Sequence, residues 1–236
     1  MKPRLHDLLP SALAAALCAA GANVRADETF EPPLPPRSEA HAVLKGGRLN
    51  GLETQILRFT TELTVAEVLQ FYERQWTRAG EPGPRQVERA GWKAISTMDG
   101  TRQLTVQARS VQGATEALLT QMELGRAQTD FVPRELPRLA GVQVTQVTES
   151  RDGPRRSRLI SMVSDEGFEL QVQRWQQAWL RQGWSPGLSR EQRGADGARQ
   201  WIASYERGRS SADQVISLLS DQRRCFSTVN LIDIAP

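Results

Sequence analysis

TVAEVLQFYERQWTRAG, residues 64–80, is the stretch from which the fold is read, together with GFELQVQRWQQAWLRQG, residues 167–183. Val65, Leu69, Tyr72 and Trp76 recur at i, i+4, i+7 and i+11, one stripe down an α-helix that must be buried against something. Phe168, Val172, Trp175 and Trp179 repeat the spacing 103 residues later, and the two copies register without a gap from Ile56 against Leu159 to Gly80 against Gly183. Thr64 is placed to cap the first helix, with Glu67 three residues on completing a capping box. Ser164 or Asp165 is placed to cap the second. A glycine ends each helix, and Pro82-Gly83-Pro84 forbids continuation of the first.

Outward from the helices the period changes to two. In the first copy residues 55–61, 92–98, 103–110 and 115–124 read as strands, with turns at Asp99-Gly100 and Gln112-Gly113. Residues 115–124 also suit a helix, and position in the repeat selects strand. In the second copy 141–148 and 157–164 form a hairpin about Arg151-Asp152-Gly153-Pro154, and 200–206, 213–219 and 225–234 read as further strands. Alternation on these strands leaves one sheet face to take each helix stripe. The pattern predicts an α+β chain of two tandem repeats, each one helix packed on a mainly antiparallel sheet. The boundaries are a signal peptide at 1–26, a Pro-rich lead-in at 27–37, repeats at 38–125 and 139–236, and a linker at 126–138.

Phe71-Tyr72, Trp76 and Gly80 in the first copy, and Trp175, Trp179 and Gly183-Trp184 in the second, give the chain a resemblance. It resembles a module of uncharacterised exported bacterial proteins, in which a proline entry and a strand lead to an aromatic helix ending in Gly-Trp and then to a hairpin. Ala79-Gly80-Glu81 lacks that tryptophan, and Arg174 replaces the aromatic of Phe71. The resemblance implies packing and no catalytic residue.

The first residues carry an address. Lys2 and Arg4 lead an apolar run from Leu8 to Ala20, followed by small-residue cleavage sites after Ala22 or Ala26. As a helix the run spans roughly 20 Å, too short for a hydrocarbon core of about 30 Å. This predicts export to the periplasm and no membrane span after cleavage. Lys2, Arg4, Arg25 and Asp7 depart with the signal, leaving 27 basic against 26 acidic residues. Such a balance supplies no field for nucleic acid. Cys18 departs too, so Cys225 stands alone with no internal disulfide, and its strand-like surroundings predict a buried thiol.

The chemistry-bearing residues read as non-catalytic. Gly183-Trp184-Ser185-Pro186-Gly187 matches G-x-S-x-G, but a helix precedes the serine, a turn follows it, and no histidine comes after His41. His41 alone cannot dominate a metal site. The acids Asp165-Glu166-Glu169 and Glu62-Glu67 sit at predicted helix starts, where the dipole favours negative charge. No cofactor motif is present. Four arginines crowd one predicted hairpin, Arg151, Arg155, Arg156 and Arg158, with only Asp152 among them to offset the charge. They are the candidate contact for an envelope protein or an anionic partner. The sequence therefore predicts a non-catalytic periplasmic binding or assembly module of the bacterial cell envelope. The alternative is a small-ligand binder using the groove between the repeats, with an envelope hydrolase behind both. Oligomeric state is not legible.

Overall fold

The computed structural model describes residues 33–78, 83–125, 130–194, 197–219, 221 and 223–234. The signal segment, most of the Pro-rich lead-in and Gly80 lie outside the described residues, and the first helix already ends at Trp76 with the extended Thr77 as its C-cap, so Gly80 is not its exit. Of the described residues 59% lie in strands and 14% in helices, so the fold is largely β and the α+β expectation is corrected. Three strands were absent from the sequence reading: Ser38–Leu49, Arg85–Arg89 and Ser185–Arg193. The second is exposed along its whole length and the third along nearly all of it. With no face buried, neither carries the alternation by which a strand is recognised. In the first, Lys45-Gly46-Gly47 mimics a turn but lies inside the strand.

The described residues form two compact units, one within Met1–Arg48 and Leu52–Ala127, the other within Leu49–Gly51 and Gln128–Pro236. The first holds β1 (Ser38–Leu49), β2 (Leu52–Thr61), α1 (Val65–Trp76), β3 (Arg85–Arg89), β4 (Trp92–Asp99), β5 (Arg102–Val111) and β6 (Ala114–Glu123). Its strands lie in the order β3-β4-β5-β6-β2-β1. The second holds β7 (Val142–Asp152), β8 (Arg155–Ser164), α2 (Phe168–Arg181), β9 (Ser185–Arg193), β10 (Arg199–Arg207), β11 (Ser210–Leu218) and β12 (Cys225–Ile234). Its strands lie in the order β7-β8-β12-β11-β10-β9. Each unit is thus a hairpin, a helix and a four-strand meander whose last strand returns to pair with the hairpin.

In the first unit Thr64 caps α1, accepting from the Glu67 amide while the Glu67 carboxylate accepts from the Thr64 amide. Val68, Leu69 and Tyr72 are buried against Phe59, Ile95, Val106 and Leu119 of the sheet. Leu34 of the lead-in packs on this core, and Thr61 Oγ1 donates to the Pro36 carbonyl at 3.1 Å.

In the second unit the N-cap of α2 is Gly167, not Ser164 or Asp165, and it offers no side-chain bond. Ser164 Oγ instead accepts from the Glu166 amide at 3.1 Å, so its reach is used before the helix begins. At the other end Gly183 takes φ +78°, Gly183 N–H bonds Leu180 O and Trp184 N–H bonds Trp179 O, a left-handed C-terminal cap. That cap folds Trp184 back so that its ring meets Trp179 edge-on at 5.1 Å, while Tyr205 stacks on Trp179 at 5.1 Å. Of the expected linker, Leu136 is buried in this same core.

Candidate functional site

The β7–β8 hairpin turns at Gly153-Pro154, with Gly153 at φ +56° supplying the left-handed step and Asp152 paired to Arg155. Alternation along β8 places Arg156 and Arg158 on the face of Ile160 and Met162, which belong to the core under α2. Arg151 lies opposite Arg156 in the register and shares that face. Arg155 points to the other face, opposite Asp152 and Ile234. The four arginines of the sequence cluster are therefore divided between two faces.

Three of them are matched by carboxylates. Arg158 is 5% exposed, and its guanidinium reaches Glu135 at 3.1 Å and also bonds Asp233. Asp233 in turn accepts from Ser210 Oγ at 2.7 Å. Glu135 comes from the segment before β7 and Asp233 from the end of β12, so Arg158 ties three pieces of chain together. Arg156 donates to Glu149 at 2.6 Å, and this bond pushes its pKa above the usual guanidinium range. Arg151 approaches the other Glu149 oxygen at 3.7 Å and stays exposed. No ion pair holds Arg155 among the described residues. The charge offered to solvent at the hairpin tip comes from Arg151 and Arg155, while Arg156 and Arg158 are engaged inside the unit.

The other candidates are placed as follows. Ser185 is the first residue of β9 and exposed, with α2 before it, so the strand–serine–helix order of a nucleophile elbow is not formed there. Glu166 pairs with Arg174, Glu169 with Arg199, and Glu62 with Arg37, while Glu67 serves the α1 cap. His41 is exposed on β1. Cys225 is fully buried, and burial pushes its thiol up to about 11. Among the described residues no group of three or more His, Cys, Asp or Glu is placed to hold a metal ion. No described helix is long and apolar enough to cross a membrane.

One constellation escaped the sequence. In the first unit Glu116 is nearly buried, with Arg58 at 2.6 Å on one oxygen and Arg109 bonding the other through Nε at 2.9 Å and Nη2 at 2.7 Å. Arg109 also lies 4.5 Å over the Trp92 ring. These residues form a row across β2, β6, β5 and β4 on the face opposite Phe59. Only strand register brings them together, and nothing in their sequence spacing signals it.

The chain matches no protein family, no curated protein and no solved structure.

Proposed function

We propose that the chain is a non-catalytic binding or assembly module of the bacterial cell envelope. It works in the periplasm after export by its N-terminal segment, and it contacts a protein or anionic partner through the tip of the β7–β8 hairpin. The observation that carries this reading is Arg155, exposed and without a carboxylate partner among the described residues, next to the exposed Arg151. A guanidinium held in water beside a tight turn keeps its planar donor edge free for a carboxylate or phosphate.

Export is supported by the charged start, the short apolar run and the small-residue sites of residues 1–26. Cell fractionation followed by sequencing of the mature N-terminus tests it, with a start after Ala22 or Ala26 expected. A chain retained whole in the cytoplasm would refute it.

The contact is tested by affinity capture from envelope extracts, comparing the native chain with Arg151→Glu/Arg155→Glu. Arg190→Glu, on the exposed strand β9, serves as the control for charge alone. Loss of bound protein in the double variant, with retention in the control, is the expected result. An unchanged bound set in the double variant would overturn the hairpin assignment.

A further inference from the structure

The outward face of α2 differs from that of α1 in a way packing within the unit does not require. Leu170, Gln173, Gln177 and Leu180 follow one another along that face, and the two leucines are 49% and 52% exposed. At the 103-residue offset the same positions of α1 hold Glu67, Gln70 and Arg74, an ordinary solvated helix face, with the C-cap Thr77 in the place of Leu180. A mixed charged face on one helix and an uncharged Leu-Gln-Gln-Leu stripe on the other show that the apolar character of α2 is not dictated by its place in the fold.

The stripe has two further properties. Its spacing of three, four and three residues is that of a coiled-coil seam. It is also palindromic about Trp175. When two copies of this helix lie antiparallel about a two-fold axis, Leu170 meets Leu180 of the other copy and Gln173 meets its Gln177. That arrangement buries leucine against leucine at both ends. It also sets amide against amide in the middle, where each glutamine both donates and accepts. Of the flanking charges, Arg174 is engaged by Glu166 and the Ala140 carbonyl and Glu169 by Arg199, while the exposed Arg181 mirrors Glu169 about Trp175 and so falls opposite an acidic residue of the other copy. An isologous contact demands such self-complementarity, because one patch must serve both sides.

We propose that α2 docks antiparallel against α2 of a second copy of this chain. A helix of 14 residues is about 21 Å long, so the contact falls in the small interface class, below about 1,200 Å², and the dimer is weak and reversible.

Sedimentation velocity on the full chain, from about 1 to about 300 µM, reads the association directly. A concentration-dependent dimer is expected, with Leu170→Glu or Leu180→Glu raising Kd at least about tenfold. Both leucines are half exposed, so circular dichroism and the melting temperature should stay unchanged in the variants. A chain that remains monomeric throughout, or a dimer indifferent to both substitutions, overturns the proposal. In the second case another surface makes the dimer; in the first, the stripe belongs to some other partner.

Orientation is read by cross-linking in a Cys18→Ser background, with the buried Cys225 left in place. Under mild oxidation a mixture of Leu170→Cys and Leu180→Cys chains should form a disulfide heterodimer. Either variant alone should not, because identical positions would sit about 15 Å apart along the paired helices, beyond disulfide reach. Cross-linking of a single variant as efficient as that of the mixture would overturn the antiparallel arrangement.

Discussion

The indole of Trp179 donates a hydrogen bond of 2.8 Å to the side-chain oxygen of Gln214, joining α2 to β11 through the middle of the second unit's core. Both side chains are fully buried. The Trp179 ring is also the one on which Trp184 and Tyr205 pack, so this single bond fixes the rotation of an aromatic cluster. Gln214→Leu keeps the bulk and leaves the indole N–H without an acceptor, but it also removes the buried Gln214 Nε2, which has no partner among the described residues, so the expected net loss is at most about 1 kcal/mol. In a Trp179→Phe background neither atom of the amide has a partner among the described residues, and the same change should stabilise by about 1 kcal/mol. Denaturant midpoints for the four chains of this cycle measure the coupling, and additive losses would show that the bond contributes nothing of its own.

Tyr72 in the first unit presents the opposite case. It is fully buried beneath α1, and its hydroxyl has no hydrogen-bond partner among the described residues. Burial alone drives its pKa well above the usual phenol range. Tyr72→Phe removes the orphaned oxygen and keeps the ring contacts with Phe59 and Trp76, so it should be neutral or stabilise by up to about 1 kcal/mol. Tyr72→Ala empties the site and should cost about 3–5 kcal/mol. Urea unfolding of both variants decides this. A Phe variant weaker than the native chain would mean that the hydroxyl does have a partner.

These two tyrosine and tryptophan positions were legible as a buried helical stripe, because helix periodicity is local and survives any tertiary arrangement. The Thr64–Glu67 cap was legible for the same reason. What could not be read was the weight of β structure, since β3 and β9 bury no face and so leave no alternating pattern. The arginine cluster shows a second limit. Four arginines within eight positions of the chain look like one patch, but a strand sends neighbours to opposite faces, and Glu135 and Asp233 arrive from distant sequence to meet Arg158. Glu116 with Arg58 and Arg109 was hidden in the same way, because cross-strand partners are set by register and not by spacing.

That division makes the arginines separable by experiment. Arg158→Met removes the partner of two carboxylates that remain about one-third exposed, so it should cost about 2–3 kcal/mol, less than the 3–5 kcal/mol of a fully buried pair. Arg155→Met touches no ion pair and should stay within about 0.5 kcal/mol of the native chain. Thermal melts of the two variants side by side provide the comparison. Equal losses would show that Arg155 is as much a part of the fold as Arg158.

Cys225 couples stability to alkaline pH. Its thiol donates to the Glu166 carbonyl at 3.5 Å, and burial, with Glu169, Asp221 and Glu166 adding their charge, lifts its pKa from 9.0 to about 11. A thiol that holds its proton more tightly when folded stabilises the native state fully below pH 9.0. It loses that contribution as the pH rises towards about 11, because the folded protein must then surrender a proton the unfolded chain has already lost. Cys225→Ala shifts the whole stability curve by a constant packing loss and removes this slope. Guanidinium midpoints measured every half unit should therefore fall more steeply in the native chain than in the variant across that window. The tyrosines contribute equally to both chains and cancel in the difference. Parallel curves would show that the thiol ionises as freely in the folded protein as in the unfolded chain.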